Sequence, residues 1–450
     1  MVARAGIDEA IRRTGLSRRE FLRSACALAV SLSAIDHTVA RALGVGPGLW
    51  YPFDPASRHD TDAARSILGP TQFVFDVQGH LLEYDVDPST RGDWFWGRSF
   101  PQARCEEEDD PRACFATNHF LEEIFIRSDT TMVALSGLPI LPEGSPLSPE
   151  VMEDTRQMVQ ALSGDQRVVV NALVLPQIAP IESVVEEMER TASENTIAGW
   201  KTFTHFPSGI HWWLDDHDPD LPQVASRFFD ELEGLGSPIL FVHKGLSDRA
   251  RYGSPEDVGP AARAHPNVKI VVYHSGFEVA QREGPFTPET AHLGVNRLID
   301  SVQRAGIGPG ENVYAEIGST WWHLLRRPDE AAHVLGKLLL AFGEDNVLWG
   351  TDSIFYGSPQ GQIDALRAFQ IPAELRERFG YPELTRGVKA KILGWNAANL
   401  YGIEPITEPA GFSIADLEAA RTEHPVPTMT WGPSTSEEVR EFRLHHQGWP

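Results

Sequence analysis

Short apolar runs alternate along the chain with longer amphipathic stretches. Between the runs lie segments such as SPEVMEDTRQMVQALSG and RPDEAAHVLGKLLLAFG, whose apolar positions recur at helical spacing and which end on Gly. Near-continuous apolar strands separated by helices are typical of a parallel sheet covered by helices. Eight runs rich in Val, Ile and aromatic residues have the length of a strand, and they lie at 73–78, 131–137, 167–175, 198–203, 238–245, 268–276, 312–319 and 346–353.

Eight strand and helix units favour a closed (β/α)8 barrel, the TIM barrel. The rival architecture is an open doubly wound α/β sheet, which normally carries a Gly-rich phosphate loop after its first strand, and the sequence has none there. We therefore predict a TIM barrel over 73–403, after a lead-in over 43–72. A C-terminal extension over 404–450 is expected to wrap the barrel, with a short helix at SEEVREFRLHH.

The N-terminus has the pattern of an export signal. Arg18 and Arg19 stand in the context SRREFL ahead of a modest apolar run, and Ala40-Arg41-Ala42 offers small residues for cleavage. The pattern resembles a twin-arginine signal peptide over 1–42. It predicts export through the twin-arginine machinery and a periplasmic or extracellular protein. The alternative is an amphipathic N-terminal helix.

Charge and hydropathy limit the partners. The formal net charge of −24 repels phosphate backbones and anionic lipids, so we expect no nucleic acid partner. Beyond the N-terminus no apolar run reaches the roughly 18 residues of a membrane span, so we expect no span after processing. We expect a small-molecule substrate as the partner, and the sequence leaves assembly into a homo-oligomer open.

Two cysteines follow the predicted signal segment, and both lie in the stretch CEEEDDPRAC. In an oxidising compartment Cys105 and Cys114 can pair, which would close a short loop and add roughly 2–3 kcal/mol of stability. A disulfide and two free thiols both stay open at this point.

Polar side chains end six of the eight predicted strands. Catalytic residues of TIM barrels come from the carboxyl ends of the strands and the loops that follow them. On the first strand, Asp76 and Gln78 alternate with His80, so the three side chains are expected to share a face. The polar residues at these strand ends are His80, Lys201, His243, His274, Glu316 and Asp352.

The segments DVQGH, FVHKG, VVYHSG and LWGTDS carry a resemblance to a known family. In their order and spacing they resemble the amidohydrolase superfamily, in particular the amidohydrolase-related branch that includes aminocarboxymuconate semialdehyde decarboxylase-like proteins. The resemblance extends from Phe73 to Ile403. It implies a metal-dependent enzyme on a TIM barrel.

The resemblance also implies a set of metal ligands. It assigns one divalent ion to His80, His243 and Asp352, with zinc as the first choice and manganese or iron as alternatives. Gln78 stands where the family has a histidine, and an amide oxygen is a poorer zinc ligand than imidazole. A second alignment, to the Glu-x-His-x-Ala pattern of some family decarboxylases, puts Gln78 at the Glu position and Leu82 at the Ala position.

The resemblance also implies catalytic roles for two residues. Asp352 would accept a proton from a metal-activated water, and His274 would assist the oxyanion or the leaving group. Lys201 is either carboxylated to bridge two metals, or a cation that faces a substrate carboxylate or Glu316. The residues that stay open as metal or substrate contacts are Asp76, Gln78, Lys201 and Glu316.

Tryptophans follow three of the predicted strands on the catalytic side of the barrel. Indole rings offer flat apolar surface, which suits a planar or cyclic ligand, although the same rings also serve to pack long loops. The candidate pocket residues are Trp94, Trp96, Trp212, Trp213, Trp321 and Trp322.

Together these observations predict an exported, metal-dependent hydrolase that acts on an amide, lactone or ester of a small cyclic or aromatic molecule. One alternative is a non-oxidative decarboxylase of an aromatic or unsaturated carboxylate. The other is a non-catalytic barrel that binds a ligand.

Overall fold

The computed structural model describes residues 2–22, 24–69, 73–83, 112–141, 145–205, 209–247 and 250–423. Eight parallel strands follow one another around one sheet in chain order. Each overlaps one predicted strand, so the predicted (β/α)8 barrel is confirmed. The strands are β1 (Phe75–Gly79), β2 (Met132–Ser136), β3 (Val168–Leu173), β4 (Gly199–Phe203), β5 (Ile239–His243), β6 (Lys269–Tyr273), β7 (Val313–Glu316) and β8 (Val347–Leu348).

Backbone hydrogen bonds between the ends of β1 and β8 close the barrel. The His80 amide donates to the Ser353 carbonyl at 2.7 Å, and the Asp352 amide donates to the Gln78 carbonyl at 3.0 Å. Residues that are more than 270 positions apart in the chain are thereby neighbours. The closure places His80 and Asp352 at the same point of the barrel mouth, by which we mean the carboxyl ends of the strands.

Helices cover the outside of the barrel and form the N-terminal segment. The helices of the described residues are α1 (Val2–Thr14), α2 (Arg18–Leu22), α3 (Ala25–Leu43), α4 (Thr61–Leu68), α5 (Thr117–Leu121), α6 (Pro149–Ser163), α7 (Ile181–Glu194), α8 (Ala225–Gly234), α9 (Val258–Ala264), α10 (Asn296–Arg304), α11 (Thr320–Leu324), α12 (Pro328–Phe342), α13 (Gln360–Ala368), α14 (Ala373–Phe379), α15 (Arg386–Ala390), α16 (Asn396–Tyr401) and α17 (Ile414–Glu423).

Helix α6 shows how local sequence sets these boundaries. Ser148 caps its start by accepting a hydrogen bond from the Val151 amide, and Pro149 occupies the first turn, where its missing N–H costs nothing. The helix ends at Gly164, whose φ of 78° suits a residue without a side chain.

Apolar side chains from the strands fill the barrel below the mouth. Phe75, Val77, Phe241 and Tyr273 are fully buried in one cluster. Burying a large apolar side chain contributes roughly 1.5–3 kcal/mol, so this cluster supplies a rigid floor for the polar residues above it.

Helix α3, within the predicted signal segment, packs against the folded chain. Among the described residues it is the helix whose length and apolar composition would suffice to cross a membrane. The Asp36 carboxylate, 1% exposed, accepts hydrogen bonds from the amides of Gly48, Trp50 (2.8 Å) and Tyr51 (2.9 Å). The predicted cleavage point at Ala42 lies in the last turn of the helix. Export and cleavage stay predictions.

Replacing Asp36 with asparagine is expected to lower the free energy of unfolding by about 1–3 kcal/mol, because a carboxylate that serves several buried amides is lost. Urea unfolding of the two proteins measures this difference. Asp8→Asn is the matched control, since the Asp8–Arg18 pair is exposed and spans 3.5 Å, and it is expected to change stability by less than about 0.5 kcal/mol. Equal effects of the two substitutions would contradict the structural role of Asp36.

The C-terminal extension packs on the barrel as far as residue 423. Phe412 is buried with its ring centroid 5.9 Å from that of Phe125, and Arg421 Nη2 lies 2.5 Å from Glu83 Oε2. The helix predicted at SEEVREFRLHH lies outside the described residues.

The cysteines are described only in part. Cys114 is disulfide-bonded, which favours the paired state over two free thiols. Cys105, its predicted partner, lies outside the described residues, so the pairing of these two cysteines stays a prediction. Cys26 is a free, buried thiol in α3.

Candidate active site

The predicted polar residues line the mouth of the barrel. His243 and Glu316 end β5 and β7, while His80, His274 and Asp352 follow β1, β6 and β8. His80 is 4% exposed, whereas the side chain of Asp352 is 14% exposed. The mouth is thus a largely dry polar cluster that opens towards solvent at Asp352.

The structure brings His80 and Asp352 into contact. His80 Nδ1 lies 2.7 Å from the carbonyl oxygen of Ser136, which can only accept, so Nδ1 carries the hydrogen. Nε2 then faces Asp352 Oδ1 at 3.2 Å. A ring nitrogen and a carboxylate oxygen lie this close when a cation is shared between them, either a proton or a metal ion.

Three side chains hold the Asp352 carboxylate. Gln78 Nε2 donates to Oδ1 at 3.1 Å, beside His80, and the Ser319 hydroxyl donates to Oδ2. Burial alone would raise the pKa of Asp352, but its bond to His80, the charges of His80 and His274, and the Ser319 hydroxyl together lower it. Asp352 is therefore an ionised base at neutral pH.

The donor chemistry of the pair fits a divalent ion, because imidazole and carboxylate are common ligands and the backbone carbonyl on Nδ1 orients the ring as in metal sites. Within the described ranges, however, no group of three or more His, Cys, Asp or Glu side chains is arranged to hold a metal ion. His243, the third predicted ligand, packs with its ring centroid 4.6 Å from that of His274 and 5.4 Å from that of His205. The structure assembles two of the three predicted ligands.

His274 is set up to accept a proton. Its Nδ1 lies 2.7 Å from the Gly318 carbonyl oxygen, so Nδ1 carries the hydrogen and Nε2 is left as an acceptor. Burial lowers the pKa of His274 to about 4, against the attraction of Asp352. Both of its predicted roles, help to an oxyanion or to the leaving group, require that Nε2 first takes up a proton, and they stay predictions.

The same effect of burial can be tested on His333, away from the mouth. Burial lowers its pKa to about 4, so between about pH 6.5 and pH 4 the unfolded chain binds this proton and the folded chain does not. Relative to wild type, His333→Gln is therefore expected to gain about 1–2 kcal/mol of stability as the pH falls through this range, after allowance for solvent screening. Urea unfolding at pH 7.5 and pH 4.5 measures the change. A difference independent of pH would contradict the lowered pKa.

Two further carboxyl groups lie buried at the mouth. Glu316 accepts hydrogen bonds from the amides of His274 (3.0 Å) and Gly318, yet burial raises its pKa to about 8. Asp76 accepts from the amides of Gln78 and Thr351, both at 3.0 Å, and burial raises its pKa to about 7. These bonds connect β1 to β8 and β6 to β7. Both carboxyls therefore stabilise the closed barrel, in addition to the predicted contact with metal or substrate.

Lys201 lies in an aromatic surrounding within the barrel. Its Nζ is 3.8 Å from the ring centroid of Tyr273 and 4.5 Å from that of Phe203. Burial lowers the pKa of Lys201 well below its ordinary value, against the attraction of Asp352 and Glu316. Nζ makes no hydrogen bond to any residue that the structure describes, so no direct bond to Glu316 supports the predicted ion pair, and the roles predicted for Lys201 stay predictions.

Backbone conformations in the left-handed region concentrate at the mouth. The φ angles of His274, Ser275, Ser319 and Asp352 are 65°, 51°, 54° and 59°. Such angles cost a non-glycine residue roughly 1–3 kcal/mol each, and they persist where surrounding contacts hold them, commonly at functional sites.

The predicted tryptophans separate into different surroundings. Trp212 and Trp321 lie in the core, where their indole N–H groups donate to the carbonyls of Phe203 (3.0 Å) and Gln362 (2.9 Å), so they pack loops. Trp213 is buried as well. The partly buried Trp322 stacks on Tyr356 with 4.4 Å between ring centroids. Trp94 and Trp96 lie outside the described residues.

Three residues that the sequence did not predict support the site. Ser319 bonds to Asp352, Tyr356 lies with its hydroxyl 3.0 Å from Ser319 Oγ, and Ser136 supplies the carbonyl that orients His80. Ser319 and Tyr356 follow β7 and β8, so the rule that identified the other residues by their place after a strand also covers these two.

No curated protein matches the chain. A solved structure from Pseudomonas putida, whose proposed activity is that of a 2-pyrone-4,6-dicarboxylic acid hydrolase, is 13% identical, with a TM-score of 0.44 over 74% of this chain and 99% of that one. The 5-carboxyvanillate decarboxylase of Sphingomonas paucimobilis is 16% identical, with a TM-score of 0.41 over 74% and 100%.

A third solved structure, the 5-carboxyvanillate decarboxylase of Novosphingobium aromaticivorans complexed with manganese, is 14% identical, with a TM-score of 0.42 over 74% of this chain and 96% of that one. The sequence model of the amidohydrolase family matches residues 150–403, which is more than half of the chain. This protein therefore belongs to the amidohydrolase family.

Proposed function

We propose that the protein is a hydrolase that adds water to an amide, lactone or ester of a small cyclic or aromatic molecule, with a divalent metal ion at His80 and Asp352. The contact between His80 Nε2 and Asp352 Oδ1 at 3.2 Å carries this proposal, because it joins an imidazole nitrogen and a carboxylate oxygen, two common metal-binding groups, at the open mouth of the barrel. When bound, the ion would supply a water of lowered pKa and polarise a carbonyl.

The protein side chains manage the protons of this reaction. Asp352, ionised and held on both oxygens, accepts the proton of the attacking water. His274 presents an unprotonated Nε2 and is close enough for the charge of Asp352 to act on its pKa. The proton that Asp352 has accepted then passes to His274 Nε2, which gives it to the leaving group.

The described mouth suits a neutral, flat substrate. Asp352 is ionised at neutral pH, whereas burial raises the pKa of Asp76 to about 7 and that of Glu316 to about 8, so these two carboxyls add little negative charge there. A neutral amide, lactone or ester needs no cation besides the proposed metal ion, and the stacked rings of Trp322 and Tyr356 near Ser319 suit a flat ring.

A decarboxylase is the second candidate, and Lys201 is the observation in its favour. Its buried Nζ makes no hydrogen bond within the described residues, so a substrate carboxylate could accept a hydrogen bond from it. The third candidate, a barrel that only binds a ligand, requires neither metal nor turnover.

A substrate screen separates the three candidates. The purified protein, loaded in turn with zinc, manganese or iron, is offered amides, lactones, esters and aromatic carboxylates, with product formation and CO2 release recorded and bound metal measured. Hydrolysis that requires metal and is lost in His80→Ala supports the proposal. CO2 release without hydrolysis supports the decarboxylase. Binding of ring compounds without turnover or metal supports the ligand-binding barrel.

A further inference from the structure

Gln78 contacts Asp352 through both its backbone and its side chain. Its carbonyl accepts the Asp352 amide hydrogen at 3.0 Å, and its Nε2 donates to Asp352 Oδ1 at 3.1 Å. Gln78 is 2% exposed as a residue, so its end of these bonds is shielded from water. One residue of β1 thus holds the carboxylate that follows β8.

Asp352 needs such support because its backbone has a φ of 59°. Its second oxygen is held by Ser319, whose own φ is 54°. Without the Gln78 amide, Oδ1 would keep only His80, and the carboxylate could turn about its bond to Ser319.

The orientation of the Gln78 amide excludes it as a ligand shared with His80 and Asp352. Its N–H faces Asp352, while Oε1 lies against Gly318. A Cβ added to Gly318 would be only 2.1 Å from Gln78 Oε1 and 2.3 Å from Glu316 Oε1, which shows how closely the amide oxygen packs on this glycine. Turning the amide over would set its carbonyl oxygen against the Asp352 carboxylate, two acceptors facing each other.

We propose that Gln78 is a positioning residue, which acts through Asp352 by fixing the carboxylate against His80, and that it is not a metal ligand. This inference rests on the proposed function in one respect, namely that Asp352 is the base. A base that is already fixed in the ground state loses less orientational freedom on reaching the transition state than a loosely held base does. The benefit therefore falls on kcat and not on KM.

Substitutions that keep the size of the side chain test the role. Gln78→Glu replaces the donor with an acceptor, and Gln78→Met removes both polar atoms. Each is expected to lower kcat by about 10- to 100-fold and to leave KM within about threefold of wild type. Wild-type kcat in Gln78→Glu would overturn the proposal, as would a rise in KM that accounts for the whole loss.

Gln362 on α13 is the matched control. It is a buried glutamine whose side-chain oxygen and nitrogen make no hydrogen bond within the described residues, and it lies on a helix that follows the mouth residues of β8. Gln362→Met is expected to keep wild-type kcat. Since the backbone bond from Asp352 to residue 78 survives in every variant, thermal unfolding of the Gln78 variants is expected to stay cooperative. An equal loss of kcat in Gln362→Met would overturn the proposal.

A structural readout separates this inference from the proposed reaction. In a crystal structure of Gln78→Met, the Asp352 carboxylate is expected to leave its contact with His80. An Asp352 carboxylate that keeps its wild-type orientation overturns the positioning role, whatever substrate the protein uses. Absence of turnover in wild type overturns the proposed function and leaves this test intact.

Discussion

Replacing Asp352 with asparagine is expected to lower kcat by about 10²- to 10⁴-fold, the range that a positioned acid–base group contributes. Asparagine has the same size, its carbonyl oxygen can still accept from Gln78, and its amide can donate to Ser319 Oγ. The change therefore removes the negative charge and the ability to take up a proton, and it leaves the packing in place. Steady-state kinetics on the best substrate of the screen measures it.

Asp364 on α13 is the control for this substitution. It is also a largely buried carboxyl, whose pKa burial raises to about 6, but it bonds to Gln360 on the outside of the barrel. Asp364→Asn is expected to keep kcat within about twofold of wild type, because among the described residues Asp364 bonds to Gln360 and Arg367 and to no residue of the mouth. Wild-type kcat in Asp352→Asn would show that the base is another group and would remove the basis of the proposed mechanism.

The strands were predictable because each is a short apolar run that can be recognised without knowing which residues it contacts. The ends of the strands were harder to predict. The sequence pattern predicts eight residues for β8, whereas the strand has two, Val347 and Leu348. Beyond Leu348 the backbone serves closure of the barrel, with the Thr351 hydroxyl and amide bound to Asp76. A pairing of groups 275 positions apart leaves no local pattern in the chain.

Most residues at the mouth were also predictable, because each lies at or just after the carboxyl end of a strand. Their partners were not. That Gln78 donates to Asp352 and that His243 packs its ring against His274 depend on side-chain rotamers, which only the closed barrel determines. The sequence therefore identified the groups present and left open which of them touch.

The N-terminal segment shows a different limit. An apolar run behind Arg18 and Arg19 predicts an export signal, and the same run, as α3, buries Val30 and Leu32 against the folded chain. Apolar composition serves insertion and packing equally well. The Asp36 carboxylate and the amides that it binds distinguish the two uses only once the fold is known.

Replacing Lys244 with methionine is expected to destabilise the protein by about 3–5 kcal/mol, the largest effect on stability that we predict. Lys244 Nζ lies 2.8 Å from Asp257 Oδ2, and both side chains are 0% exposed. Methionine fills the space of the lysine stem but leaves Asp257 as a buried carboxyl without its cation. Since Lys244 directly follows His243, the pair also anchors the loop that leaves β5.

Urea unfolding of the Lys244→Met variant and of an exposed counterpart tests the effect of burial. Lys391 forms pairs of nearly the same length, 2.7 Å to both Glu344 and Asp345, but its side chain is 37% exposed. Lys391→Met is expected to cost less than about 1 kcal/mol, because water screens these charges. Adding Asp257→Leu to Lys244→Met is expected to recover part of the loss, since no charge then remains buried. If the double variant is less stable than Lys244→Met, the loss comes from packing and the account of a stranded carboxylate is wrong.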